Sequence, residues 1–520
     1  MAEEQVRVQL TDPRPFLREQ GVKALRVAIL AGTADLGTLA AMCISLTQTQ
    51  ETDRLLGGLL LGRELVHSGH AKALEAELVA TALRGMTHSE VRIRQGSGEL
   101  LEVLGKTSLE LYDQCIDGAL AVLQTCDPEV FPILETCSQT IQTLAALKST
   151  ELTETQAERL LEVVKTGHKS KALRETSQLL LAHIGCKVPS ALLARLNLLP
   201  GLCQGLEDSW SPVRMQALHA VKVYLSHLSP TPAAQEALLL PRICLNRHYP
   251  AEGLRTLALE TWRSYVGELG RNYLVTHISA VCQFYEAQSR AESAAAREAA
   301  CHCMAELATK IEPLAHEALS SFLPSLLSAA LGCTEDADWA VQDAACLACA
   351  ELVSSFSAES ASYIEEVKGM WVKRLADQRV SMREHSAYGL IKAAKQLQSD
   401  LWTDIDAYIR TNGAKAREQS AYERSHPPRA QSSTDTYPWE LSDGCVFLVR
   451  ELASSKAEIA ATHMPLLADL ARLKDFSANV FLKDSIWKSL PAIATGLGKR
   501  RFKDYLELFI EELLSDTGSN

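Results

Sequence analysis

The stretch Asp208-Ser-Trp-Ser-Pro-Val-Arg-Met-Gln-Ala-Leu-His-Ala-Val-Lys-Val-Tyr-Leu-Ser-His227 decides how this chain is read. Counting from Val213, small or apolar residues fall four, seven and eight positions later at Ala217, Ala220 and Val221, which places them on one face of a helix. Arg214 points off that face. Upstream lies a polar turn: Asp208 stands five positions before the anchor, Ser211 suits an N-cap, and Pro212 suits the first helical position, where no amide hydrogen is needed.

The same arrangement recurs along the chain. Anchors at Leu17, Leu55, Ile93, Ile133, Leu173, Val213, Leu254, Ala296, Val341 and Met382 are separated by 38, 38, 40, 40, 40, 41, 42, 45 and 41 residues. Asp12, Asp336 and Asp377 stand five before their anchors, and His88 occupies that place before Ile93. A second apolar-periodic segment precedes each anchor, for example Leu193–Leu206, Leu319–Leu331 and Tyr363–Leu375, so the unit is helix, turn, helix. Ser381 and Glu384 have the spacing of a capping box.

The rhythm stops once. Residues 411–438 contain Gly413, Ser425-His426-Pro427-Pro428 and Ser432-Ser433-Thr434, and read as a polar loop inserted between an array over 1–410 and further repeats over 439–520. Lys415, Arg417, Arg424 and Arg429 make this loop locally basic. A closing helix over Phe502–Leu514, with Tyr505 and Phe509 on one face and acids on the other, reads as a terminal cap.

Composition agrees with an all-α protein. Only 6% of the 520 residues are aromatic, whereas Ala and Leu, both good helix formers, abound. A net charge of −12 argues against broad binding to a phosphate backbone, so no nucleic-acid partner is expected. The acidic start Met1-Ala-Glu-Glu is unlike a secretory signal, and no apolar run is long enough to span a bilayer. A cytoplasmic protein, with nuclear access open to it, is the expectation, and its fourteen cysteines read as small hydrophobes in helical stripes.

No motif points to catalysis, a cofactor or a small-molecule substrate. Gly496-Leu497-Gly498-Lys499 lacks the spacing of a phosphate loop. Cys301-His302-Cys303 and Cys346-x-x-Cys349 contain zinc-ligand types, but Cys303 and Cys349 fall on core positions and residues two apart on a helix diverge, so no metal is expected. Lys499-Arg500-Arg501 with Lys503 reads as charge at a helix end. Trp210 and Trp339 stand out because each occupies a turn rather than an apolar stripe. Together with Tyr437 and Trp439 they are the candidate partner-binding residues, since large aromatics anchor protein interfaces.

The pattern Asp-x-x-x-x-Val-Arg-x-x-Ala-x-x-Ala, in helix pairs near forty residues, resembles the HEAT-repeat family of α-solenoids. That resemblance implies a right-handed solenoid of about twelve stacked pairs, counted from the anchors. It also implies an Asp/Arg ladder between repeats, carried over here to Asp208, Asp336 and Asp377 and to Arg18, Arg94, Arg174, Arg214, Arg255, Arg297 and Arg383. Several repeats lack the Asp, and Val341 is followed by Gln342, which breaks the pattern at those junctions. Glu335-Asp336-Ala337-Asp338-Trp339-Ala340-Val341 and Arg297-Glu298-Ala299-Ala300-Cys301 are more specifically similar to importin-β-type transport receptors. The expected function is a non-catalytic scaffold or adaptor for protein partners; the alternatives are a nuclear-transport receptor and a tubulin-binding regulator.

Overall fold

Helices form where the forty-residue rhythm places them, and the described residues contain no strand. The computed structural model describes residues 3–127, 130–147, 152–165, 169–228, 231–397, 401–426, 436–474 and 476–517. The chain divides into two compact units, Met1–Arg242 and Ile243–Asn520, with the division inside the helix Ala233–Asn246 rather than at the interruption near 411.

In the first unit the pairs are Glu3–Leu10 with Pro15–Leu30, Leu36–Thr47 with Thr52–His67, Glu75–Gly85 with Val91–Gly105, Leu109–Thr125 with Phe131–Leu147, Glu154–Lys165 with Lys171–Lys187, and Leu199–Leu206 with Ser211–His227. The second helix of each pair also packs against the second helix of the next. The second unit repeats the scheme with Ile278–Gln288 and Ala294–Glu306, Leu323–Cys333 and Trp339–Ser355, Ile364–Arg374 and Val380–Leu397, Lys415–Glu423 and Pro438–Ala453, and Met464–Ala471 and Asn479–Leu497. Each unit is therefore an all-α solenoid.

The stacking seam is built from small residues. Ala217, Ala220, Ala300, Ala345 and Ala348 are fully buried, which lets neighbouring second helices approach closely. Gly444 allows a close approach of another kind, since a Cβ there would stand 2.1 Å from the carbonyl oxygen of Leu375 at the end of Ile364–Arg374.

Three local expectations are corrected. Trp210, in an extended conformation, is the N-cap of Ser211–His227, so Ser211 and Pro212 each sit one position further into the helix. Ser381 lies inside Val380–Leu397, and Glu384 pairs with Arg450 at 2.6 Å instead of closing a capping box. The segment 411–438 is not a continuous loop: Lys415–Glu423 is a helix, held by Ala416, Gln419 and Ser420 against Pro438–Ala453, while 427–435, including Arg429, lie outside the described residues. Helical periodicity is weak there because the buried contacts are small or polar. The closing helix Lys499–Thr517 buries Phe509 but exposes Leu506 and Ile510 beside its acids, so its outer side is mixed.

One buried ion pair ties two repeats of the second unit together. The Arg383 Nε donates to Asp443 Oδ2 at 2.8 Å, and both side chains are fully enclosed. Burial pushes the Asp443 carboxyl up from its ordinary value against the opposing pull of Arg383. Replacing Asp443 with Ala strands a guanidinium in the interior and should cost about 3–5 kcal/mol. The double variant Arg383→Met with Asp443→Leu should recover most of that loss, because no charge remains buried. Urea unfolding of the three chains checks this, and an Asp443→Ala chain as stable as the parent would contradict it.

Candidate functional site: the turn edge of the repeats

Five of the turns are closed by their own side chains in the same way. The Asp at the head of the turn accepts the amide two residues on: Arg14 N to Asp12 at 2.9 Å, Trp210 N to Asp208 at 2.8 Å, Asp338 N to Asp336 at 2.9 Å and Arg379 N to Asp377 at 3.0 Å. His88, in the same place, takes the Glu90 amide on Nδ1 at 3.1 Å. Side chains after the anchor then reach back six residues to a turn carbonyl: Arg18 to Asp12, Arg94 to His88, Arg214 to Asp208, Arg297 to Ala291 and Arg383 to Asp377. Gln342 makes the same bond to Asp336.

The remaining guanidinium edge decides whether one turn is joined to the next. Arg174 meets Asp208 through two bonds of 2.6 and 3.1 Å, and Arg297 meets Asp336 through two of 2.7 and 2.9 Å. These are forked, charge-assisted pairs. The Arg297 hydrogen bond draws Asp336 below the usual carboxylate range. Arg18 lies 3.6 Å from Asp53, and Arg94 reaches the Thr136 hydroxyl at 3.3 Å. Asp377 follows the Gln342 repeat and pairs with Arg374 at 3.1 Å instead of a ladder residue. Arg383 takes Asp443, which the sequence pattern did not single out. Arg214 donates to the carbonyls of Asp208 and Leu206, and Arg255 is exposed with no ion pair among the described residues.

At these turns Trp210, in the first unit, and Trp339, in the second, stand 41% and 50% exposed. Each ring has a cation against it: the Lys171 ammonium sits 3.9 Å from the Trp210 ring centre, and the Arg379 guanidinium 5.9 Å from that of Trp339. Both cations come from an adjacent repeat of the same unit. Tyr437 and Trp439 are placed differently. The Tyr437 amide donates to Glu440 at 2.8 Å, opening Pro438–Ala453, and the Trp439 amide donates to Gln419 at 3.2 Å. The Trp439 ring lies against Arg383 at 5.0 Å and stacks with Phe481, so it braces the fold.

Polar contacts between successive second helices were not anticipated from motifs. Arg26 grips the buried Glu64 with two bonds of 2.9 and 3.0 Å in the first unit. In the second, His385 meets Asp343 at 2.9 Å, and Tyr388 and Lys392 both bond Glu351. The only sequence signal was recurrence: the partners lie 38, 42, 37 and 41 positions apart, one repeat length. Of the cysteines considered for zinc, Cys301, Cys303, Cys346 and Cys349 are all buried, and the described residues hold no cluster of three or more His, Cys, Asp or Glu suited to a metal. A cavity of about 390 Å³, lined by Val372, Leu375, Leu390, Ile405, Tyr408 and Leu448 among others, opens in the second unit. No described helix is long and apolar enough to cross a membrane.

No protein-family model matches the chain, and no curated protein sequence matches it. Among solved structures it is similar to the karyopherin Kap121p bound to the SUMO protease Ulp1p, at 14% identity and a TM-score of 0.48 over 95% of this chain and 47% of that one. It is also similar to importin β, at 11% identity and a TM-score of 0.43 over 98% of this chain and 66% of that one. Kap95p, solved with RanGDP, gives 13% identity and a TM-score of 0.37 over 98% and 74%. The chain spans about half the length of Kap121p. Its fold resembles the HEAT and armadillo type of helical-repeat solenoid.

Between the repeats of the second unit, His302 stacks on His248 with ring centres 5.9 Å apart. Burial, with His248 and His385 adding to it against Asp343, brings His302 down to about 4 from 6.5. The neighbouring Glu298, 3.9 Å away, is itself pushed up by burial and by Asp338 and Asp343. Between those two values the unfolded chain takes up a proton that the native chain refuses, so this residue's contribution is full above pH 6.5 and fades as pH falls toward 4. A His302→Gln chain should therefore lose less stability over that window than the parent, as read from denaturation midpoints at stepped pH. An unchanged slope, or a His302 resonance titrating near 6.5, would contradict the assignment.

Proposed function

We propose that the chain is a non-catalytic scaffold that holds protein partners on the turn edge of its repeats. What supports this reading most is the state of Trp210 and Trp339: each is a large aromatic held in a rigid turn, backed by a cation and left about half open. A side chain so placed gives contact area to a partner without having to be ordered first, which is what makes tryptophan effective at interface centres. Asp208 with Arg214, and Asp336 with Gln342, close the turns that carry the two indoles.

The binding reading is tested by affinity capture with the parent chain and with a Trp210→Ala, Trp339→Ala chain, followed by identification of what is retained. The substituted chain should melt close to the parent, because an exposed cation–π contact is worth about 0.5–1 kcal/mol, and should lose the captured proteins. The same proteins retained equally by both chains would contradict the proposal. Selective retention of a small GTPase would favour a transport receptor, and co-sedimentation with microtubules a tubulin-binding regulator.

A further inference from the structure

Two cavities of about 260 Å³ each lie side by side in the second unit and share a wall made by Arg247, Glu306 and Lys310. Arg255 and His248 line one of them, and Trp262, Glu268 and Arg271 line the other. The charged lining is thus four cations, Arg247, Arg255, Arg271 and Lys310, against two carboxylates, on a chain whose overall charge is −12.

The central carboxylate is already saturated. Glu306 accepts from Arg247 at 2.5 Å and from Lys310 at 2.8 Å, and its third contact is His248 at 3.1 Å. Burial alone would raise Glu306, but the His248 hydrogen bond and the charge of Arg247, followed by Lys310, hold it well below the usual range. Arg247 itself packs over the Trp262 ring at 5.1 Å, and its Nε is buried without a partner. A π-helical turn over Leu307–Ile311 follows Glu306 directly and carries Lys310 into the shared wall. Such single turns interrupt regular helices most often where a binding surface is built.

Arg255 and Arg271 are different. Both are exposed, each at one of the two cavities, and neither forms an ion pair among the described residues. Arg255 is carried by Glu252–Val266, and the chain turns back after that helix: a Cβ on Gly270 would stand 3.0 Å from the Trp262 ring, which sets Arg271 beside the helix end.

We propose that this surface binds an extended acidic peptide of a partner protein, with one carboxylate seated on Arg255, another on Arg271, and the stretch between them lying across the Arg247–Lys310 wall. The inference rests on the scaffold reading and adds the chemistry of a partner. A nucleic-acid strand suits the surface poorly, because Glu306 and Glu268 stand among only four cations and the one aromatic, Trp262, is buried beneath Arg247.

The test uses the full chain and fluorescent nine-residue peptides with a glutamate near each end of a Gly/Ser background, their lysine counterpart, and an all-neutral peptide. In fluorescence anisotropy the glutamate peptide should bind the parent in preference to the other two, and binding should weaken as salt rises from about 50 to about 300 mM. The Arg255→Glu, Arg271→Glu chain, with unchanged circular dichroism and melting, should bind the glutamate peptide at least about tenfold more weakly and prefer the lysine peptide. Equal binding of glutamate and neutral peptides by the parent, or no change in the charge-reversed chain, would overturn the proposal. If that happens while capture through Trp210 and Trp339 persists, only the acidic-peptide inference falls; loss of that capture alone leaves the peptide preference standing.

Discussion

The structure depends on a clamp that closes the turns before Leu17, Ile93, Val213, Val341 and Met382. One carboxylate, or one imidazole at His88, takes the amide two residues ahead, and one long polar side chain returns from the following helix to a carbonyl six residues behind it. A tight turn leaves several backbone groups without helical partners, and these bonds satisfy them where the chain reverses. Gln342 shows that hydrogen bonding at this place does not need the charge. The charge matters for the second task, linking turn to turn, which Arg174 and Arg297 perform through forked pairs.

Packing takes over where the clamp ends. Once the turn fixes the angle of the second helix, its small residues allow the next one to close in, and burial of Leu, Val and Ala along the seam supplies the bulk of the stabilisation. Each repeat touches chiefly its neighbours, so strain or loss at one junction stays local. That division of labour leaves the turn edge and the helix surfaces free to vary. In the second unit the variation includes half-open indole and unpaired guanidinium groups.

Much of this was legible in the residues. The spacing of anchors located the helix pairs because a forty-residue period leaves few other architectures, and the family resemblance pointed to Asp208, Asp336, Arg174 and Arg297 without saying which meets which; the structure pairs Arg174 with Asp208 and Arg297 with Asp336. Other features left no local trace. Arg383 finds its carboxylate 60 residues on, at Asp443, because the helix Lys415–Glu423 and the segment after it intervene between the two repeats. That helix is held by a few small and polar contacts, so no apolar period announces it. Trp439 looked like a surface anchor by residue type, yet its ring is drawn against Arg383, a contact that only the fold creates. The cavities beside Glu306 draw on three separate stretches of chain, each unremarked alone.

The turn clamp is tested most directly by hydrogen exchange read by mass spectrometry on an Arg297→Ala chain beside the parent. Arg297 holds the carbonyls of Ala291 and Glu292 and the carboxylate of Asp336. Its loss should speed exchange in peptides covering 289–297 and 333–342 and leave the remaining repeats as they were. Unchanged protection in those two turns, or acceleration spread through both units, would contradict the account.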